Sequence, residues 1–260
     1  MDGPAPARST ATVGKDPRVA RERLEALAAT LADCRLCGLC EGRTQVVFGV
    51  GNPVADLMFV GEGPGFHEDR QGEPFVGQAG KLLTALLGEI GLTRADVYIA
   101  NVVKCRPPGN RDPLPEEIAA CSPHLMEQVR VIRPRVICTL GRFATRLVAR
   151  TEASMTAVRG RAKETEVAGV PVLVFPVFHP AAALYTPANR SLLEEDFQKL
   201  QRLLALGAEA LVGRGSSEGG AREDQGGVPA GGAGPASPPA APAEEPPPKS
   251  PGSAEQLPLW

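Results

Sequence analysis

Four of the six cysteines are spaced so that they can bind metal. Cys34 and Cys37 form a C-x2-C pair, Cys105 follows the run Val102-Val103-Lys104, and Cys121 comes later in an apolar-periodic stretch. Two close thiolates and two distant ones make a four-thiolate set. Such a set suits zinc or an iron–sulfur cluster, and the spacing does not choose between them. Cys40 competes with Cys37 for a place and is read as a neighbouring thiol outside the set. Cys138 lies inside an apolar run and is expected in the core, where a free thiol packs as a small hydrophobe.

The second chemical signal is the stretch 61–80, GEGPGFHEDRQGEPFVGQAG. It follows the apolar run Asp56–Val60 and precedes a helix-like pattern from Leu82 to Ile90. A buried strand ending in a glycine-rich loop that feeds a helix is where ligands sit in open α/β sheets. Glycine lets the backbone approach a ligand closely. Glu62 then stands at the rim of a pocket, and Phe75 offers an aromatic face. The loop is not GxGxxG, and it lacks the Gly-Lys-Ser/Thr ending of a phosphate-binding loop.

The third signal is Phe178-His179-Pro180-Ala-Ala-Ala-Leu184-Tyr185. A histidine closing a strand, followed by proline and small residues, is placed like a binding or catalytic loop. His124 (mid-helix) and His67 (in a polar loop) are read as structural or solvated.

These groups need elements to hold them. Leucines three to four apart predict a helix over 18–32. Strands are expected at 56–61, 97–102, 135–140 and 171–178, and helices at 78–91, 115–131, 141–150 and 190–206. Strands alternating with helices imply an α/β fold with a central, mostly parallel sheet covered on both faces. One domain is expected over 18–207. Residues 1–17 read as a disordered lead. Residues 208–255 form a Pro/Gly/Ala-rich linker unable to bury enough apolar surface to offset its ordering entropy.

The formal charge is −2. The tail from Ala208 carries seven acids against three bases, a net of −4, and the lead is balanced. The core is therefore +2, which allows a nucleic-acid partner without demanding one. No run of 18 apolar residues exists, so no transmembrane helix is expected. The N-terminus has no apolar secretory region, so a reducing, cytoplasmic and nucleoid-associated setting is expected.

In this order the motifs resemble the family 4 uracil-DNA glycosylases. The matching pieces are Cys34-x2-Cys37, Gly61-Glu62-Gly63-Pro64-Gly65, Gly72-Glu-Pro-Phe75-Val-Gly77, Asn101-Val-Val-Lys-Cys105-Arg-Pro-Pro, Cys121 and His179-Pro180. The resemblance runs from about residue 20 to 205. It implies a three-layer α/β/α fold with a four-stranded sheet, and a [4Fe–4S] cluster on Cys34, Cys37, Cys105 and Cys121. It also implies hydrolysis of the N-glycosidic bond of uracil in DNA, with the nucleotide flipped out of the stack.

On this resemblance Phe75 stacks on the base and Asn101 reads its N3–H and O4. Backbone N–H groups of the 61–65 loop, Gly61 and Gly63 among them, receive O2, to which His179 also donates. Glu62 positions or polarises the water. Leu184 or Tyr185 wedges into the gap left by the base, and Arg190 touches phosphate. A related branch traps DNA through a histidine in a basic insertion between the Asn101 and His179 motifs. No such histidine follows Cys105 here, so turnover is expected. A non-catalytic iron–sulfur DNA-binding or redox-sensing protein is the alternative, but electron transfer needs none of Glu62, Phe75, Asn101 and His179.

The chain ends Gln256-Leu257-Pro258-Leu259-Trp260. This resembles the short peptide by which bacterial repair proteins dock on the sliding clamp. At the tip of a linker of about 50 residues, spanning on the order of 40 Å, it would hold a monomeric enzyme near DNA.

Overall fold

The computed structural model describes residues 15–212. Residues 1–14 and 213–260, with most of the linker and the clamp-like Gln256–Trp260, lie outside the described residues.

Successive side chains of a strand point to opposite faces of its sheet, and the strands here use both faces. In β2 (Leu57–Gly61) every residue is buried. Leu57 and Phe59 enter one core and Met58 and Val60 the other. The same division runs through β3 (Tyr98–Asn101), β4 (Val136–Leu140) and β6 (Val170–Val177). One face is covered by α1 (Pro17–Leu31), α4 (Pro115–Ile132) and α5 (Arg142–Ala149). The other is covered by α3 (Gln78–Glu89) and α8 (Pro187–Val212), where Phe197 stacks on Phe59 with ring centroids 5.9 Å apart. Cys138 is buried here, as expected.

The three-layer α/β/α architecture is therefore as the sequence implied, but the sheet is wider than four strands. The order is β1-β3-β2-β4-β6-β5. The central four strands are parallel. The edges are β1 (Val50–Gly51) and β5 (Lys163–Val167), both antiparallel to their neighbours. Neither edge strand carries an apolar run. β1 has two residues, and β5 reads Lys-Glu-Thr-Glu-Val, the charged composition that keeps an exposed edge from pairing further.

Other boundaries shift for local reasons. α1 starts at Pro17, because Asp16 caps it by accepting from the Arg18 N–H at 2.8 Å. α8 starts at Pro187 and runs to Val212, past the expected domain limit at 207. A short helix, α2 (Phe66–Gln71), interrupts the glycine-rich loop and puts His67 in its first turn. Two more short helices, α6 (Met155–Val158) and α7 (Pro180–Tyr185), complete the described chain with two 3-10 turns, Gly38–Cys40 and Pro108–Asn110. No described helix is long and apolar enough to cross a membrane.

Candidate active site

The carboxyl ends of the parallel strands converge on one cavity of about 410 Å3. Its walls include Glu62, Gly63, Phe75, Asn101 and His179. Register explains the meeting. Gly61 ends β2 directly opposite Asn101 at the end of β3, and β6 releases the chain at Val177, two residues before His179. A side chain at Gly61 would overlap Asn101 Oδ1 and lie 2.6 Å from Phe75 Cζ. Only glycine leaves those two groups side by side.

Phe75 has φ of 55°. For a bulky non-glycine residue that is a strained conformation, which persists only where its surroundings impose it. Arg94 donates to the carbonyls of Phe75 (3.1 Å) and Pro74 (2.8 Å). Glu68 receives the N–H groups of Val76 (2.9 Å) and Gly77 (2.8 Å) through one oxygen, and that of Gly65 (3.1 Å) through the other. One carboxylate thus ties both ends of the loop. The Phe75 ring lies 5.5 Å from the His179 imidazole, inclined by 29°.

His179 packs on Gly141, whose φ of 86° and 3.1 Å approach to His179 Cβ exclude a side chain there. Burial pulls the imidazole pKa down to about 4, with the charge of Glu68 opposing. The Ala181 N–H donates to its Nδ1 at 3.1 Å. A neutral ring whose Nδ1 accepts carries its proton on Nε2. Asn101 is 1% exposed, and its Oδ1 has no partner among the described residues. A buried amide oxygen left unpaired costs free energy unless a ligand donor fills it. Burial pushes Glu62 up to about 7, with Asp112 adding and Arg142 opposing.

A family model described as the Uracil DNA glycosylase superfamily matches residues 48–204. The chain belongs to that superfamily. Among curated relatives, the type-4 uracil-DNA glycosylase of Sulfurisphaera tokodaii is 49% identical over 187 residues, 70% of this chain and 85% of that one. The type-4 enzyme of Thermotoga maritima is 45% identical over 70% of this chain and 95% of its own. The type-5 enzyme of Thermus thermophilus is more distant, at 34% over 46% of this chain and 69% of its own. The family 4 resemblance of the motifs is borne out.

In this uracil-DNA glycosylase superfamily member the cysteines form a second centre. Cys34, Cys37, Cys105 and Cys121 line one small cavity, walled by Leu31, Leu36 and Leu39. Cys40 shares it. Among the described residues, no three metal-binding side chains stand grouped around a single ion. The polar atoms are nonetheless those a metal–sulfur group would use. The Lys104 N–H donates to Cys121 Sγ at 3.2 Å, and Arg43 donates to Cys105 Sγ at 3.6 Å. His124 Nε2, buried without a partner among the described residues, belongs to a residue lining the same cavity. Burial raises the Cys37, Cys105 (to about 11) and Cys121 thiols. Thiolates there need a positive partner, so the residues fit a metal cluster.

Leu184 and Tyr185 are exposed on α7, Tyr185 at 86%. Arg190 is on α8, where its Nε is paired with Glu194 at 2.8 Å and raised in pKa by that bond. Its charge is already answered on its own helix.

Sequence reasoning missed Glu68, Arg94 and Lys104. Glu68 carried a usable signal, since it stands three residues after Gly65, at the spacing of a capping carboxylate. Lys104 carried none. A lysine just past a strand end reads as solvated, yet it is 1% exposed. Its Nζ donates to the Asn101 carbonyl (2.9 Å) and to Gln128 Oε1 (2.6 Å), and burial pulls its pKa down to about 8. Gln128 in turn donates to the Phe48 carbonyl at 2.9 Å.

Proposed function

We propose that this protein removes uracil from DNA by hydrolysing its N-glycosidic bond, leaving an abasic site for base excision repair. The observation that carries the reading is the unpaired, buried Asn101 Oδ1 beside the Phe75 ring and the neutral His179. Uracil answers each group. Its flat face stacks on Phe75. Its N3–H donates to Asn101 Oδ1, while the Asn101 NH2 donates to O4. Cytosine presents an acceptor at N3 and a donor at C4, so the same amide orientation rejects it.

As the bond to C1′ breaks, its electron pair leaves with the base. Negative charge gathers on O2. His179 Nε2–H and the backbone N–H groups of the loop from Gly61 through Gly63 donate to that oxygen, placed in advance where charge develops. A neutral donor suits this task, because it stabilises the anion without giving up its proton. Water adds to C1′, and its proton passes to Glu62, whose pKa near 7 matches a base working at neutral pH. No histidine stands at the loop after Cys105 to capture C1′, so the product is released. Leu184 or Tyr185 fills the gap in the stack. A phosphate contact from Arg190 requires the Glu194 pair to open.

The cysteine cavity is read as the seat of a [4Fe–4S] cluster on Cys34, Cys37, Cys105 and Cys121. A bound cluster supplies a structural cross-link, since the hydrolysis is redox-neutral. It joins the segment after α1 to the loop after β3 and to α4. Iron and sulfide content, with an absorbance band at about 400 nm, distinguishes it from zinc.

An oligonucleotide bearing one uracil, incubated with protein and then treated with alkali, tests the activity. Cleavage at the uracil supports it. An intact strand with full binding would leave a non-catalytic iron–sulfur DNA-binding protein.

A further inference from the structure

Phe66 opens α2 and is 45% exposed. Two guanidinium groups lie over its ring. Arg70, one turn on, stands 5.3 Å from the centroid. Arg106, from the loop after β3, stands 5.2 Å away. Phe66 directly follows Gly65, and Arg106 directly precedes Pro107, both of which line the cavity. Arg106 Nε also donates to Asn110 Oδ1 at 2.7 Å, and Asn110 lines it too. The cluster therefore stands on the cavity rim.

Neither guanidinium has a carboxylate partner among the described residues. The two acids of the same helix are turned onto backbone N–H groups. Glu68 holds Gly65, Val76 and Gly77, and Asp69 accepts from the Thr44 N–H at 2.8 Å. Their oxygens are committed inward, while the cationic ends stay at the surface. An aromatic ring that holds two arginines costs them side-chain freedom before any ligand arrives, and it leaves most of their N–H donors open.

We infer that Phe66, Arg70 and Arg106 form a clamp for a DNA backbone phosphate next to the extruded nucleotide. The inference rests on the reading of DNA as substrate. A phosphodiester is the ligand that matches. It is a compact anion with several acceptor oxygens, and guanidinium groups address it through paired N–H donors. Extrusion of one nucleotide requires its flanking phosphates to be held, and these are the arginines set against the cavity rim with no acid to quench them. Such a contact carries no sequence information, so it adds affinity equally to strands with and without uracil.

The test is equilibrium binding of the full chain to a labelled, uracil-free single strand, read by anisotropy across about 50 to 300 mM KCl. Each phosphate neutralised contributes about −0.7 to the slope of log K against log salt for a single strand. For Arg70→Gln/Arg106→Gln the slope is expected to become shallower by about 0.7, with affinity about 3–10-fold weaker near 100 mM salt. Arg70→Lys/Arg106→Lys keeps the charge and should return most of the slope. Arg23→Gln/Arg130→Gln removes the same charge at the α1–α4 surface, where both arginines face Glu127. It should leave the slope as in the parent.

An unchanged slope in the first variant overturns the clamp. So does an equal loss in the α1–α4 control. Should the double variant lose its melting transition, Arg70→Gln alone decides, since that side chain makes no hydrogen bond among the described residues. No excision by the parent with full DNA binding would overturn the proposed function, and the slopes would still judge the clamp.

Discussion

The His179 imidazole stacks on the Phe75 ring at 5.5 Å, and the two rings form adjoining walls of one cavity. One group arrives from the glycine-rich loop and the other from the end of β6. Burial fixes the chemistry of the pair. It strips water from the imidazole, holds it neutral, and leaves Nε2–H as a donor that needs no rearrangement when charge develops. His179→Ala should therefore lower the single-turnover excision rate by about 10²–10³-fold with little change in DNA affinity. Rapid-quench measurement against salt-matched binding separates the two effects.

In the proposed reaction Asn101 decides which base is accepted. Asn101→Ala removes both the acceptor for N3–H and the donor to O4. The rate on uracil should fall by about 10²-fold or more, and the preference for uracil over cytosine should narrow. Paired oligonucleotides carrying uracil or cytosine at one position measure it.

Glu62 sets the acidic limb. Burial pushes its pKa up to about 7, above the ordinary 4.5, and the proposed reaction uses the carboxylate. Activity should therefore fall as pH drops below about 7, and His179, at about 4, adds no limb above pH 5. Glu62→Gln should lower the rate and remove the limb. The stability effect has a definite sign. A carboxyl group with a raised folded pKa holds its proton more tightly in the folded state, so its contribution declines as pH rises from 4.5 to 7. Glu62→Gln should then raise Tm at pH 8 by about 2–4 °C and change it less at pH 5. Calorimetry at the two pH values checks this.

Lys104 joins the two centres. Its ammonium grips the Asn101 carbonyl, while its backbone N–H touches the Cys121 sulfur. Lys104→Met keeps the apolar stem but leaves the Asn101 carbonyl and Gln128 Oε1 short of a donor. A loss of about 2–4 kcal/mol in unfolding free energy is expected, with weakened uracil-over-cytosine selectivity. Denaturant melts and the paired-oligonucleotide assay read both.

Gln256–Trp260 is proposed as a docking peptide for a sliding clamp. Deleting 256–260 should abolish capture by purified clamp and leave excision on short oligonucleotides unchanged. Clamp capture that survives the deletion would remove the proposal.

The sequence placed the candidate residues on the elements that carry them because its signals are local. Short apolar runs mark β2, β3, β4 and β6, the strands buried on both faces. Glycines at 61, 63 and 65 mark a backbone that approaches something closely. The edge strands β1 and β5 escaped because one is two residues long and the other carries charge. The expected four-stranded sheet became six-stranded for that reason. Arg190 was expected on phosphate because a cation near a helix start looks available. Glu194, one turn on, already answers it.

By themselves, the residues determined which donors exist: four spaced thiols, an amide at a strand end, a histidine closing another strand, and a carboxylate in a glycine-rich loop. Only the tertiary structure decided what those donors are. It made His179 neutral, Glu62 a weak acid near 7, Phe75 left-handed and Lys104 a core residue. The physical reason is that burial and register sum over contacts distant in the chain. A side chain's protonation and reach follow from the water it has lost and the neighbours it meets, and no local pattern encodes either.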